Sequence, residues 1–320
     1  MQPRFFLLLT LPALGCGSSS TPDLGGGDLG GAVDMQAPAD LAGATVLRYV
    51  TDKIRLPLNN TDYARDINGD GKADNRLGDV VGLLATYVEL QAQLDSSNIK
   101  GDGLNLFSLT TVDPAAVDDP GAQVTIYNAN RQENPDFSGK GKFSVDKSVK
   151  PAKFAAALKG GAFVSPAPKT QPAPATANLR IFLSPTVSVA LPVVGAWLSF
   201  TANPTTLTSG QLNGALTRKD ADDLLIPALA RSLDEFAQVS PCEENCKTVR
   251  SLFDTSKDGR ISLDEVRANA LVKNLLAPDL DLFDAKGVWK PNPKANPTDA
   301  ERDSISVGVG FHAVRATFTE

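Results

Sequence analysis

Between residues 254 and 265 the chain offers an oxygen at every second position: Asp254, Ser256, Asp258, the backbone carbonyl of Arg260, and Ser262, with Glu265 in twelfth place. A set of hard donors that includes three carboxylates suits calcium, which takes six to eight oxygens and tolerates irregular geometry. Gly259 occupies the sixth place, where the chain must turn sharply and a positive φ costs glycine little. Residues 66 to 74 repeat the pattern with Asp66, Asn68, Asp70, the Lys72 carbonyl and Asp74. There the twelfth place is Leu77, so the bidentate carboxylate is missing, and Asp79, Asp62 or water would have to complete a calcium shell. Asn, Asp and Gly also build turns without any metal, which is the competing explanation for this second run.

Two helices must position the first loop. Upstream, Ser240 as N-cap, Pro241 in the first turn and Glu243 three residues on predict a helix start, and Cys246, Val249, Leu252 and Phe253 recur at helical spacing. Downstream, Leu263, Val266, Ala270, Leu271 and Leu275 continue the same period up to Pro278. On these residues the segment from about 241 to 276 resembles the EF-hand family. The resemblance implies Glu265 as bidentate ligand and Ile261 pairing with a second loop. Asn269 and Lys273 depart from it, since the family's second helix is usually apolar there. The run at 66 to 77 resembles instead the loops of dockerins, integrin-type propeller repeats and thrombospondin type-3 repeats. Because EF-hands usually pair, the two loops are candidates to lie side by side. After the second loop, Leu77, Val80, Val81, Leu84, Tyr87, Val88 and Leu94 predict a helix over 77–95.

The first residues set the compartment. Arg4, an apolar run from Phe5 to Leu14, and Gly15-Cys16 read as a signal segment whose apolar part is too short to span a bilayer. Ala13-Leu14-Gly15-Cys16 resembles the lipobox of bacterial lipoproteins, which implies cleavage before Cys16 and its acylation with palmitate-type chains. Leu14 departs from the usual small residue. An ordinary secretory signal and an uncleaved anchor are the alternatives. Residues 16–44 form a Gly-, Ser- and Asp-rich linker whose flexible length would hold a folded body on the order of 30 Å from the bilayer. Gly17 in place of a retention Asp implies the outer membrane.

Removing residues 1–15, which hold Arg4 and no acid, takes the formal charge from -6 to -7. An acidic chain without a basic, aromatic-interleaved stripe offers nothing to nucleic acid. With Cys16 acylated, Cys242 and Cys246 remain as an even pair in an oxidising compartment. A disulfide is anticipated, provided the first helical turn is distorted, since four residues of regular helix lie near the limit of Cα separation. Free buried thiols are the alternative.

Between the loops the period changes to short alternating runs, at 46–56, 104–112, 122–129, 141–146, 153–158, 161–165, 178–184, 186–191, 194–202 and 206–216, with a last strand at 304–318. The fold class expected is α+β: a mainly antiparallel β-sandwich with a small helical EF-hand subdomain inserted before the last strand. The corresponding domains are a signal (1–15), the linker (16–44), a β-rich domain (45–218 plus 300–320) and a helical subdomain (219–299). Pro227 should kink or divide the helix at 219–238.

Catalytic signals are sparse. The single His312 lies in a strand-like run, and the serine-elbow, phosphate-loop and zinc-protease motifs are absent. Asp279, Asp281 and Asp284 form a third acidic cluster, which reads foremost as a solvated loop. Trp197 suits a core, Trp289 a surface role. The expectation is a non-enzymatic, calcium-binding, membrane-anchored lipoprotein whose β domain binds a ligand or partner. A calcium-dependent hydrolase of envelope or extracellular polysaccharide is the alternative, and lipid binding through residues 178–202 a third. In organisation the chain resembles uncharacterised calcium-loop lipoproteins of Gram-negative bacteria, a resemblance that implies no activity.

Overall fold

The computed structural model describes residues 43–86, 89–184, 186–294, 298 and 300–320. The signal segment, Cys16 and the linker up to residue 42 fall outside these, as do Tyr87 and Val88. The strands are β1 (Thr45–Arg55), β2 (Asn105–Thr111), β3 (Asp119–Asn128), β4 (Lys142–Ser144), β5 (Ala152–Lys159), β6 (Ala162–Val164), β7 (Ala177–Phe182), β8 (Ser188–Ala202), β9 (Thr206–Thr217), β10 (Ser304–Arg315) and β11 (Thr317–Thr319). The helices are α1 (Arg76–Leu84), α2 (Leu90–Ile99), α3 (Arg218–Asp220), α4 (Ile226–Ala237), α5 (Glu244–Phe253), α6 (Leu263–Ala268) and α7 (Ala270–Leu275).

The protein is α+β with one large antiparallel sheet of nine strands, in the order β6-β5-β3-β2-β1-β10-β9-β8-β7. Two stacked sheets, the arrangement expected from the strand runs, do not emerge from the pairing. The reason lies in β8, expected as two strands and formed as one of 15 residues. Its first half pairs with β7 (Val189 with Ile181) and its second half with β6 (Phe200 with Phe163), while β9 takes the opposite edge. Because β6 also pairs with β5, the sheet meets itself and leaves no free edge between β5 and β8. The stacked rings of Phe163 and Phe200, centroids 4.9 Å apart, lie at this seam, and Phe107 stacks on Phe311 at the same spacing. Among the described residues, an apolar cavity beside Leu77 and Leu229 and another beside Thr51 and Phe107 hold only about 20 Å³ each.

Helices pack against the sheet. Leu77, Val80, Val81 and Leu84 of α1, Leu229 and Leu233 of α4, Val249 and Phe253 of α5, and Val266 and Val272 of α6 and α7 belong to the same core cluster as the strand interiors. Residues 219–294 are therefore an excursion in topology that shares the core of the β region, and the described residues form one compact unit. The helix predicted over 77–95 is two, α1 and α2. Pro227 stands in the first turn of α4, which continues from a π-helical segment (Ala221–Leu225) without leaving helical backbone angles. Among the described residues no helix is long and apolar enough to cross a membrane.

Candidate functional site

The flanks of the 254–265 loop differ in detail from their sequence reading. Ser240-Pro241 is a cis peptide, and α5 begins at Glu244 with Glu243 as N-cap, so Ser240 does not cap it. Cys242 then lies outside the helix, which brings the Cα atoms of Cys242 and Cys246 to 5.3 Å in a disulfide. The downstream helix is broken. Asn269 is extended, receives the N–H groups of Leu271 and Val272 on its side chain, and divides α6 from α7. Its side-chain amide also donates to the Leu252 carbonyl at 2.8 Å, tying the two flanking helices together.

Within the loop the carboxylates are gathered by the backbone. Asp254 accepts from the N–H groups of Asp258 (3.1 Å) and Gly259 (2.9 Å), and Gly259 has the left-handed φ of 82° anticipated for the turn. Asp258 accepts from Arg260 N–H at 2.8 Å. Glu265 reaches back across the loop: one oxygen accepts from Ser256 N–H (2.8 Å), the other from Ser262 N–H and hydroxyl (2.9 Å each). The Ser262 backbone N–H first, then that of Ser256, pulls the Glu265 carboxyl down to about 2. Positions 1, 3, 5, 9 and 12 are thus on one hydrogen-bonded loop. Among the described residues, Asp254, Asp258 and Glu265 make no ion pair. The oxygen donor set suits calcium. The side chains point mainly at N–H groups, however, and among the described residues no three carboxylate, imidazole or thiol groups converge at metal-binding spacing. Uptake of an ion would replace those N–H donors.

Asp234 on α4 is the residue sequence reasoning missed. Its Oδ1 accepts the Ile261 N–H at 2.9 Å, and it holds the Arg260 guanidinium through a fork at 2.6–3.2 Å. The hydrogen bond to Arg260, more than that to Ile261, keeps the Asp234 carboxyl below its usual range. Ile261 is buried, and its N–H engages a helix side chain in place of a second loop. The two candidate loops therefore do not pair through Ile261. No local pattern marks Asp234 for this role.

The 66–74 loop is anchored differently. Its ends bridge, Arg65 to Asp74, and Ile67 is buried in a small cluster with Ala215, Leu280 and Leu282, beside Trp197 and Trp289. Asp66 accepts from Gly69 N–H (2.6 Å) and Gly71 N–H (3.3 Å), and Asp70 from Lys72 N–H (2.8 Å). The Lys169 ammonium lies 3.2 Å from Asp66, so a cation from the chain already faces the first ligand position. Leu77 is buried in the core, Asp79 pairs with Arg76 at 3.0 Å, and Asp62 accepts from Leu58 N–H at 2.9 Å. Asp79 and Asp62, offered by the sequence to complete the shell, are thus engaged elsewhere. Asp74 is pushed up to about 6, by burial first and then by the charges of Asp279, Asp70 and Asp66. Asp279, drawn from the third acidic cluster, is itself pushed up by burial while accepting from Ser306 N–H at 2.8 Å and hydroxyl at 2.5 Å. Asp281 and Asp284 serve local turns, accepting from Asn292 and from Lys286 and Val288.

Two further placements differ from the sequence reading. Asp52 lies 2.5 Å from His312, which is therefore not isolated. Trp289 is half-buried with its indole N–H on the carbonyl of Pro168 at 3.3 Å, and Pro168 is itself buried. Trp197, read as a core residue, does pack against the Ile67 cluster, under the Arg65 guanidinium 5.1 Å from its ring centre.

Searches against protein-family models, curated proteins and solved structures return no match.

Proposed function

We propose that the chain is a calcium-binding, membrane-anchored extracytoplasmic lipoprotein, non-enzymatic, in which calcium is mainly a structural clamp and the β-rich body binds a ligand or partner. The observation that carries this is the gathering of Asp254, Asp258 and Glu265 on one twelve-residue loop, with backbone N–H donors and no cationic partner among the described residues, while the adjacent Arg260 is committed to Asp234. Three like charges on one loop repel one another, and a divalent ion relieves that repulsion. Outside the cytoplasm calcium is abundant, and millimolar-range sites suffice for a clamp. The 66–74 loop is the weaker site, since Lys169 already neutralises part of it. The lipid anchor at Cys16 and the outer-membrane location rest on the sequence around Ala13 to Gly17.

Calcium-dependent hydrolysis of polysaccharide is a second reading, favoured by the Asp74–Asp279 pair, whose carboxyls are both pushed up as acid catalysts are. Against it, the open clefts of about 660 and 580 Å³ lie elsewhere and are not lined by these two residues.

Calcium titration by calorimetry with parallel thermal melts, on wild type, Glu265→Gln and Asp70→Ala, tests the proposal. Binding abolished or weakened at least tenfold by Glu265→Gln, with a calcium-dependent rise in melting temperature, is the result expected. No heat and a melt indifferent to calcium would overturn it.

A further inference from the structure

The chain is acidic, with 37 Asp and Glu against 31 Lys and Arg. One cleft runs against that balance. It opens between α3 with its following π-helical segment, the start of α4, and the α6–α7 pair, and has a volume of about 660 Å³. Arg218, Arg267 and Lys273 line it, with Asp222 as the single acid, above an apolar floor that includes Ile226 and Val272. All three cations are exposed, and among the described residues none makes an ion pair. Among the described residues the two arginine side chains hydrogen-bond to carbonyls: Arg218 donates to Arg302 at 3.0 Å and Arg267 to Asp222 at 3.3 Å. These bonds aim the guanidinium groups without neutralising them. Ile226 and Val272 are 7% and 4% exposed, so the apolar surface open to an occupant is mainly that of half-buried Ala277 and Pro278, which also line the cleft.

Size, charge and floor make different demands on an occupant. The volume lies within the roughly 300–1,000 Å³ of small-molecule sites. Three unneutralised cations at one rim call for an oxyanion, which guanidinium groups bind through paired N–H donors. The apolar floor calls for a hydrocarbon part next to that charge. A single π-helical turn, here Ala221–Leu225, is a rare feature that recurs at functional positions. We propose that this cleft binds a single-chain anionic amphiphile, with a carboxylate or phosphate held by Arg218, Arg267 and Lys273 and its alkyl chain laid along the apolar lining that Ala277 and Pro278 complete. The inference goes beyond calcium binding and does not depend on it.

The test is calorimetric titration of the full chain carrying Cys16→Ser, so that no acyl group of its own competes, in calcium-stripped buffer with ligands below their micelle concentrations. Dodecanoate and dodecyl phosphate should both saturate one site in the micromolar range, which identifies the shared oxyanion. If one of them alone binds, the headgroup source is thereby assigned. Shortening the chain from dodecanoate to octanoate should weaken binding by up to about fourfold per methylene laid on the floor. Arg267→Gln and Lys273→Gln should each weaken it about tenfold, with melting temperature unchanged because both side chains are exposed. Dodecanol binding as tightly as dodecanoate, inorganic phosphate binding as tightly as dodecyl phosphate, no saturable binding by about 1 mM, or indifference to both substitutions would each overturn the proposal.

Discussion

Asp234→Ala should destabilise the protein more than any other single exposed-charge substitution near the 254–265 loop. The carboxylate makes two separable interactions. It accepts the N–H of buried Ile261 at 2.9 Å, and it forks onto Arg260, whose side chain is 65% exposed against 18% for Asp234. A hydrogen bond from a buried N–H to a charged acceptor contributes about 1.5–3 kcal/mol, because its removal strands the donor. The ion pair, screened at the Arg260 end, contributes about 0.2–1 kcal/mol. The expected total is about 3 kcal/mol, a fall of about 5 °C in melting temperature for a chain of this size. Urea unfolding in calcium-free buffer of wild type, Asp234→Ala, Arg260→Ala and the double variant measures both parts. Arg260→Ala should cost under about 1 kcal/mol, and Asp234→Asn, which keeps an acceptor, should fall between. If Asp234→Ala costs no more than Arg260→Ala, the Ile261 bond contributes nothing and the claim that α4 takes the place of a second loop fails.

Three further outcomes follow from the same contacts. Lys169→Met removes the ammonium beside Asp66, so calcium uptake at residues 66–74 should tighten about two- to fivefold, read by calorimetry in a Glu265→Gln background. The Asp74 carboxyl has its folded value raised from 3.8 to about 6. The folded state then holds that proton more tightly than the unfolded chain, and stability falls as pH rises from about 4 to 6. Calcium-free Asp74→Asn should accordingly match wild type near pH 4 and exceed it by about 1 kcal/mol at pH 7, after discount for solvent screening, in urea melts at each pH. Replacing Cys242 and Cys246 by Ser opens a very short loop and should cost at most about 2 kcal/mol, measured against the oxidised protein.

The sequence by itself determined what is local. The spacing of oxygen donors in residues 254–265, the left-handed Gly259 and most strand ranges follow from backbone periods and turn chemistry that act within a dozen residues. Helix boundaries were less legible, since competing caps lie close together: Ser240 was a plausible cap, yet the chain starts α5 at Glu244, and Asn269 interrupts a helical period that the apolar residues alone would carry through. Tertiary structure decided the rest. That β6 returns to β8 and closes the sheet, that Asp234 takes the Ile261 N–H, that Lys169 faces Asp66, that Asp279 raises Asp74, and that Asp52 meets His312 are all contacts between distant segments. Such partners share no period, and a carboxylate looks the same in sequence whether it faces water, a lysine or another carboxylate. Packing of the common core brings them together, and only then do their charges acquire the neighbours that give them a function.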